Sequence, residues 1–183
     1  MRQLKTFGKS KHVWKSMACL ILAVSMSGFF CSCKKTESNQ DLGDYHKYLG
    51  DYYYDCSISA MVYETPEGEE MPGVMYREVT DLDALTQSCP IPICFFFYSS
   101  MQADVYGIFA SVEEVCEQYH DKVLIVAIDA ATEKELTSAY MVEALPDAII
   151  IKDHAQKAHF DGTTREEWSA SDLAAWIVKE ATS

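Results

Sequence analysis

The sequence predicts an α/β fold in which a central mixed β-sheet is flanked by helices, and three observations carry the prediction. Ile91–Tyr98 (IPICFFFY) is an almost unbroken apolar run, the pattern of a strand covered on both faces. Val123–Ile128 (VLIVAI) is a second such run, rich in β-branched residues. Between them Val105, Ile108, Phe109, Val112, Val115, Cys116 and Tyr119 recur at helical spacing, so a buried strand feeds an amphipathic helix that returns to a parallel strand. The helix is expected to open at Gln102, and the join before it, Ser99-Ser100-Met101, is where such folds concentrate their chemistry.

Ahead of this core the chain reads as appendages. Its 183 residues, 49% of them hydrophobic, suffice for one globular unit with additions. Arg2, Lys5, Lys9, Lys11 and Lys15 precede an apolar stretch from Met17 to Phe30. That stretch is shorter than the roughly 20 residues that span a bilayer, and a basic head before a short apolar segment is what an export signal needs. Ser32-Cys33, with Phe30 three places before the cysteine, resembles a bacterial lipoprotein processing site. The resemblance implies removal of residues 1–32 and a lipid on the Cys33 thiol. The protein would then be exported and anchored to a bacterial cell membrane, facing the periplasm or the surface. Cys31 is the alternative acceptor, and an ordinary cleaved signal or an uncleaved anchor is the alternative fate of the leader. Residues 33–43 are polar and aperiodic and read as a tether, 44–73 as a tyrosine-rich extension, and 74–183 as the α/β domain.

Loss of the leader's five cations, with no acid among its residues, would take the formal charge from −13 to −18. Such a balance argues against nucleic acid, whose phosphates would be repelled, and gives no electrostatic hold on anionic lipid. No calcium-loop spacing, phosphate-binding glycine loop or Ser-His-Asp context accompanies it, so no metal or organic cofactor is expected. His154 and His159 share a predicted hairpin but read as separate surface residues.

In chain order, the extension places five tyrosines between Tyr45 and Tyr54. Their rings are expected to pack on the domain, with an exposed sugar or peptide platform as the alternative. Ile58–Glu64 and Val74–Val79 form a hairpin across the turn residues Thr65-Pro66-Glu67-Gly68 and Pro72-Gly73. Thr80-Asp81 caps a short helix over Leu82–Ser88. Ser99 to Gln102 has capping-box spacing, with Asp104 in the first turn where the helix dipole favours an anion. Thr132, with Glu135 as its capping-box partner, starts a helix running to Tyr140. Ala148–Ile151 and Lys157–Phe160 form an antiparallel hairpin closed by Asp161-Gly162, and Ser171-Asp172 caps a terminal helix over Leu173–Lys179.

The order strand, helix, strand, helix, strand, strand, helix over Val74–Lys179 resembles the thioredoxin family. The elements that carry the resemblance are the apolar strand running into Tyr98-Ser99-Ser100, the VLIVAID strand, the Leu145-Pro146 pair and the hairpin closing at Gly162. It implies a thioredoxin-like three-layer sandwich with an extra N-terminal segment, and a cis Leu145-Pro146 bond facing the start of the main helix. A trans proline opening an edge strand is the alternative. It further implies that extended polypeptide is received on the surface of Ser99, Ser100, Met101, Gln102, Asp104, Leu145, Pro146 and Asp147. The family's Trp-Cys-Gly-Pro-Cys falls on Met101-Gln102-Ala103-Asp104-Val105, and its buried acid on Phe96. No cysteine stands between Cys94 and Cys116, so the thiolate that attacks and the thiol that resolves are both absent from the join.

The domain's cysteines are therefore read as structural. Cys94 falls in the core, and five extended steps put it about 16 Å from Cys89, beyond the roughly 7 Å a disulfide spans. Cys89 precedes the strand and Cys116 lies near the end of the helix running back, so both reach the same sheet edge. In an exported protein a structural Cys89–Cys116 disulfide follows, with Cys56 as the competing partner. The functional expectation is an envelope-anchored, redox-inactive domain that binds a protein or peptide. The alternatives are a thiol-disulfide oxidoreductase using Cys56 or Cys89, and a purely structural envelope protein.

Overall fold

The computed structural model describes residues 44–53, 56–102, 104–164 and 167–183. The expected signal peptide, Cys33 and the tether lie outside the described residues. After a turn of 3-10 helix at Asp44–Tyr48 come β1 (Leu49–Tyr52), β2 (Ile58–Glu64), β3 (Gly73–Val79), α1 (Leu82–Ser88) and β4 (Ile93–Tyr98). The chain continues through α2 (Val105–Tyr119), β5 (Leu124–Asp129), α3 (Lys134–Ala139), β6 (Asp147–Lys152), β7 (Ala155–Phe160) and α4 (Ala170–Thr182). The seven strands make one mixed sheet in the order β1-β3-β2-β5-β4-β6-β7. β4 and β5 are parallel, with Phe96 opposite Ala127, while β6 pairs antiparallel with both β4 and β7.

Strand alternation sets the layers. Cys94 and Phe96 point to the face covered by α2 and α4, among Ile108, Val112, Val115, Leu173 and Ile177. Ile93, Phe95 and Phe97 point to the other face, against Leu85 of α1 and the partly buried Leu136 and Tyr140 at α3. Phe95, Phe96 and Phe97 are all within 1% of full burial, which is what an uninterrupted apolar run requires of a central strand. Removing such rings from water stabilises by about 1.5–3 kcal/mol each.

The tyrosine-rich extension is not an appendage to this sheet. β2 lies between β3 and β5, pairing antiparallel with both, Met61 opposite Tyr76 on one side and Ile125 on the other. Residues 44–73 thus supply an internal strand. The tyrosines divide: Tyr45 is buried against Leu49 and Leu85, whereas Tyr52 and Tyr53 are exposed, and Tyr54 lies outside the described residues.

Helix starts differ from expectation in two places besides the join. Asp81 caps α1 as expected, its Oδ1 accepting from the Ala84 N–H at 2.9 Å. Thr132 does not cap α3; its hydroxyl donates to Asp129 Oδ2 at 3.2 Å, and Glu133 takes the N-cap position without a side-chain cap bond. α4 begins earlier than Ser171, at a capping box in which Ser169 Oγ accepts from the Asp172 N–H and Asp172 Oδ2 accepts from the Ser169 N–H.

Candidate functional site

β4 delivers its last residue onto an aromatic support. The Tyr98 ring packs edge-on against Phe109 of α2 at 4.7 Å between centroids, and Phe109 in turn meets Phe96 at 5.3 Å. Beyond Tyr98 the chain closes a turn: the Gln102 N–H donates to Ser99 O at 3.0 Å, and the Met101 N–H to Ser99 Oγ at 3.3 Å. Ser99 therefore organises a turn and not a helix cap, and α2 starts at Val105 instead of Gln102. Asp104 holds the N-cap position with φ of 59°, a left-handed conformation that short polar side chains tolerate. Its carboxylate folds back over Gly107, where a Cβ would meet Asp104 Oδ1 at 2.7 Å.

Across from this turn lies the start of β6. The Leu145-Pro146 bond is cis, as the resemblance implies, and Pro146 is buried. Gln102 bridges the two segments: its Nε2 donates to Leu145 O at 2.8 Å, while its Oε1 is buried without a hydrogen-bond partner among the described residues. Gly162 borders the same proline, since a Cβ there would stand 3.4 Å from Pro146 O. Gln102 is thus joined to Leu145, the residue before cis-Pro146, with Ser99, Ser100 and Met101 in the same turn. Met101 and the nearby Tyr106 are 87% and 88% exposed, so the join offers apolar surface to solvent.

Asp147 corrects the expectation of a surface carboxylate. Its side chain is buried, and His159 Nε2 donates to its Oδ2 at 2.8 Å, leaving Oδ1 buried and unpartnered among the described residues. Burial pushes its carboxyl above the usual range, with the His159 contact pulling the other way. The sequence carries a signal for this pair that residue-by-residue reading misses. In the β6–β7 register His159 stands opposite Ile149, two residues along the same face from Asp147.

The thiols are sorted by edge and face. Cys94 is fully buried in the layer under α2 and α4, and burial pushes its thiol far up. Cys116 belongs to that same layer and Cys89 to the opposite one, so the sheet separates them. The expected Cys89–Cys116 disulfide is not formed; both are free thiols, pushed up by burial to about 11 for Cys89 and about 12 for Cys116. Neither is a thiolate near neutral pH. Cys56 is placed differently. It is half-buried just ahead of β2, its Sγ–H donating to Tyr53 O at 3.2 Å. Because β2 runs antiparallel to β5, this brings it to the edge where β4 and β5 end: the Asp129 N–H donates to Ser57 O at 2.8 Å, and Asp129 stands opposite Tyr98.

A groove of about 460 Å³ lies elsewhere, between the C-terminal half of α2 and α4, lined by residues such as Glu114, Gln118, Ala174 and Val178. Among the described residues no three His, Cys, Asp or Glu side chains are grouped to hold a metal, and no helix is long and apolar enough to cross a membrane.

A strand-to-helix join facing a cis-proline that opens the final hairpin is the arrangement the resemblance implies, and the thioredoxin family model matches residues 96–179. The fold is thioredoxin-like. Among solved structures, a mutant thioredoxin from Halobacterium salinarum is similar at 22% identity and a TM-score of 0.46, over 57% of this chain and 86% of that one. The germline-specific thioredoxin Deadhead of Drosophila melanogaster is similar at 21% identity and a TM-score of 0.43, over 49% and 81%. Mitochondrial thioredoxin 3 of Saccharomyces cerevisiae is similar at 17% identity and a TM-score of 0.46, over 55% and 88%. No curated protein sequence matches the chain.

Proposed function

We propose that this thioredoxin-like domain is anchored in the bacterial envelope through a lipid on Cys33 and binds extended protein or peptide segments without redox turnover. The observation that carries the reading is Gln102. Where the resemblance places an attacking thiolate, this chain has an amide hydrogen-bonded to the carbonyl before cis-Pro146. An amide neither attacks a disulfide nor resolves one. What is left at the join suits recognition: backbone beside the proline that can pair with an extended chain, the Ser99 and Ser100 hydroxyls, and the exposed Met101 and Tyr106. Two measurements test the proposal. The purified protein is expected to give no turnover in an insulin-reduction assay. Photo-crosslinking from position 106 in the membrane-tethered protein is expected to capture envelope proteins, and Met101→Asp to reduce that capture at least tenfold. Turnover in the first measurement, or capture indifferent to Met101→Asp in the second, would reject the reading.

A second reading rests on the position of Cys56. It is the domain cysteine at the join's own edge of the sheet and the one outside the buried core. A thiol exchanging with a partner's disulfide from there would be trapped as a mixed disulfide, and Cys56→Ser would abolish the trapping. Labelling of the native protein with a thiol reagent gives the same contrast: Cys56 should react first, and Cys89, Cys94 and Cys116 only as the domain unfolds.

A further inference from the structure

We infer that the Gln102 side chain is a latch: it occupies the polypeptide-receiving edge beside Pro146 and swings out when an extended chain docks there. The inference rests on the binding reading above. A carboxamide presents the same donor and acceptor as a backbone peptide group, and Gln102 uses it as a docked strand would, donating from Nε2 to Leu145 O at 2.8 Å. That carbonyl is the acceptor an added strand needs. The domain's own side chain therefore holds the place of a ligand's backbone N–H.

The latch is poised and not permanent, because its other half is poorly served. Oε1 is buried without a partner among the described residues, and an orphaned buried acceptor disfavours the closed position. Closure is held by one hydrogen bond against one unsatisfied oxygen. Swinging outward returns the amide to water, satisfies Oε1 and frees Leu145 O in a single movement. The path is open as well. Gln102 stands in the turn ahead of α2 and outside the helical ladder, and its neighbours Ser100 and Met101 are exposed. The half-buried Tyr98 and Phe109 rings pack on each other at the strand end. The occupant this selects is an extended segment offering a backbone N–H at the Leu145 position, so a segment with proline there is rejected.

The test uses the full chain, with reduced, S-carboxymethylated ribonuclease as an unfolded, thiol-free probe. Gln102→Ala is expected to bind it about tenfold more tightly than the wild type. Gln102→Glu, whose ionised side chain has no donor for the carbonyl, should also bind more tightly. In the wild type, the Gln102 side-chain amide protons should exchange slowly with solvent when free and quickly once the probe is bound. Unchanged or weaker binding by Gln102→Ala, with binding still lost in Met101→Asp, would overturn the latch and leave the docking surface standing. Failure of wild type and Gln102→Ala alike to bind overturns both. Should Gln102→Ala melt early, the exchange measurement decides: amide protons equally protected with and without probe reject the latch.

Discussion

The two halves of the candidate surface are built on opposite plans. The turn at Leu145–Asp147 goes inward: Pro146 and Asp147 are buried, a histidine grips the carboxylate, and β6 begins at once. The join at Ser99–Asp104 stays outward. Its hydrogen bonds close on its own turn, Asp104 takes a left-handed conformation, and one side-chain bond reaches across to Leu145. The difference teaches a division of labour in which the turn is the fixed template and the join the adaptable part. Substitutions in the turn should register as stability, and those in the join as binding.

The sharpest way to break that division is Asp147→Ala. It removes a buried carboxylate and strands its histidine, so a loss of about 1–3 kcal/mol is expected in urea unfolding. A loss below about 0.5 kcal/mol would mean the turn is no more fixed than the join.

A smaller effect appears in the pH dependence. Burial raises Asp147 above its ordinary 3.8, so the fold disfavours its charged form. Its contribution is therefore fully present below about 3.8 and is lost as pH rises through the folded value. Asp147→Asn, which carries no charge, should gain on the wild type across that window, and the two stability curves should run parallel at higher pH. A constant difference from pH 3 upward would place the titration elsewhere.

In the join, Gln102→Ala should change stability by less than about 1 kcal/mol, because one hydrogen bond is lost and one orphaned acceptor goes with it. Gly107→Ala is the smallest. Alanine favours the helix by up to about 1 kcal/mol, while its methyl must push the Asp104 carboxylate aside. The two effects oppose, and thermal unfolding should find a net change within about 0.5 kcal/mol. A loss above about 2 kcal/mol would show that Asp104 is pinned and the join rigid.

How much of this is legible in the sequence depends on what kind of information each feature needs. Ile93–Tyr98 and Leu124–Asp129 announce themselves because a strand buried on both faces leaves no room for polar residues. The three misread caps share one cause. Ser99, Thr132 and Ser171 carry hydroxyls with several partners in reach, and spacing alone does not say which wins: Ser99 takes its own turn, Thr132 takes Asp129, and Ser171 pairs with Ser169. The Cys89–Cys116 expectation fails for a geometric reason. Rise per residue fixes how far along the sheet a residue lies but not on which face, and the two thiols fall in different layers. The Asp147–His159 pair depends on hairpin register, and the internal position of β2 on a partner about seventy residues away, neither of which a local pattern contains. The cis-proline is legible only through the resemblance.

That internal strand has a practical corollary. Along Ile58–Met61 it covers Ile125–Ile128 of β5, four consecutive apolar residues whose backbone groups would otherwise face outward. A recombinant fragment trimmed to the matched span of residues 96–179 would bare this row as an adhesive seam, open to pairing with its own copies. The smallest self-sufficient piece has to begin upstream of Ile58.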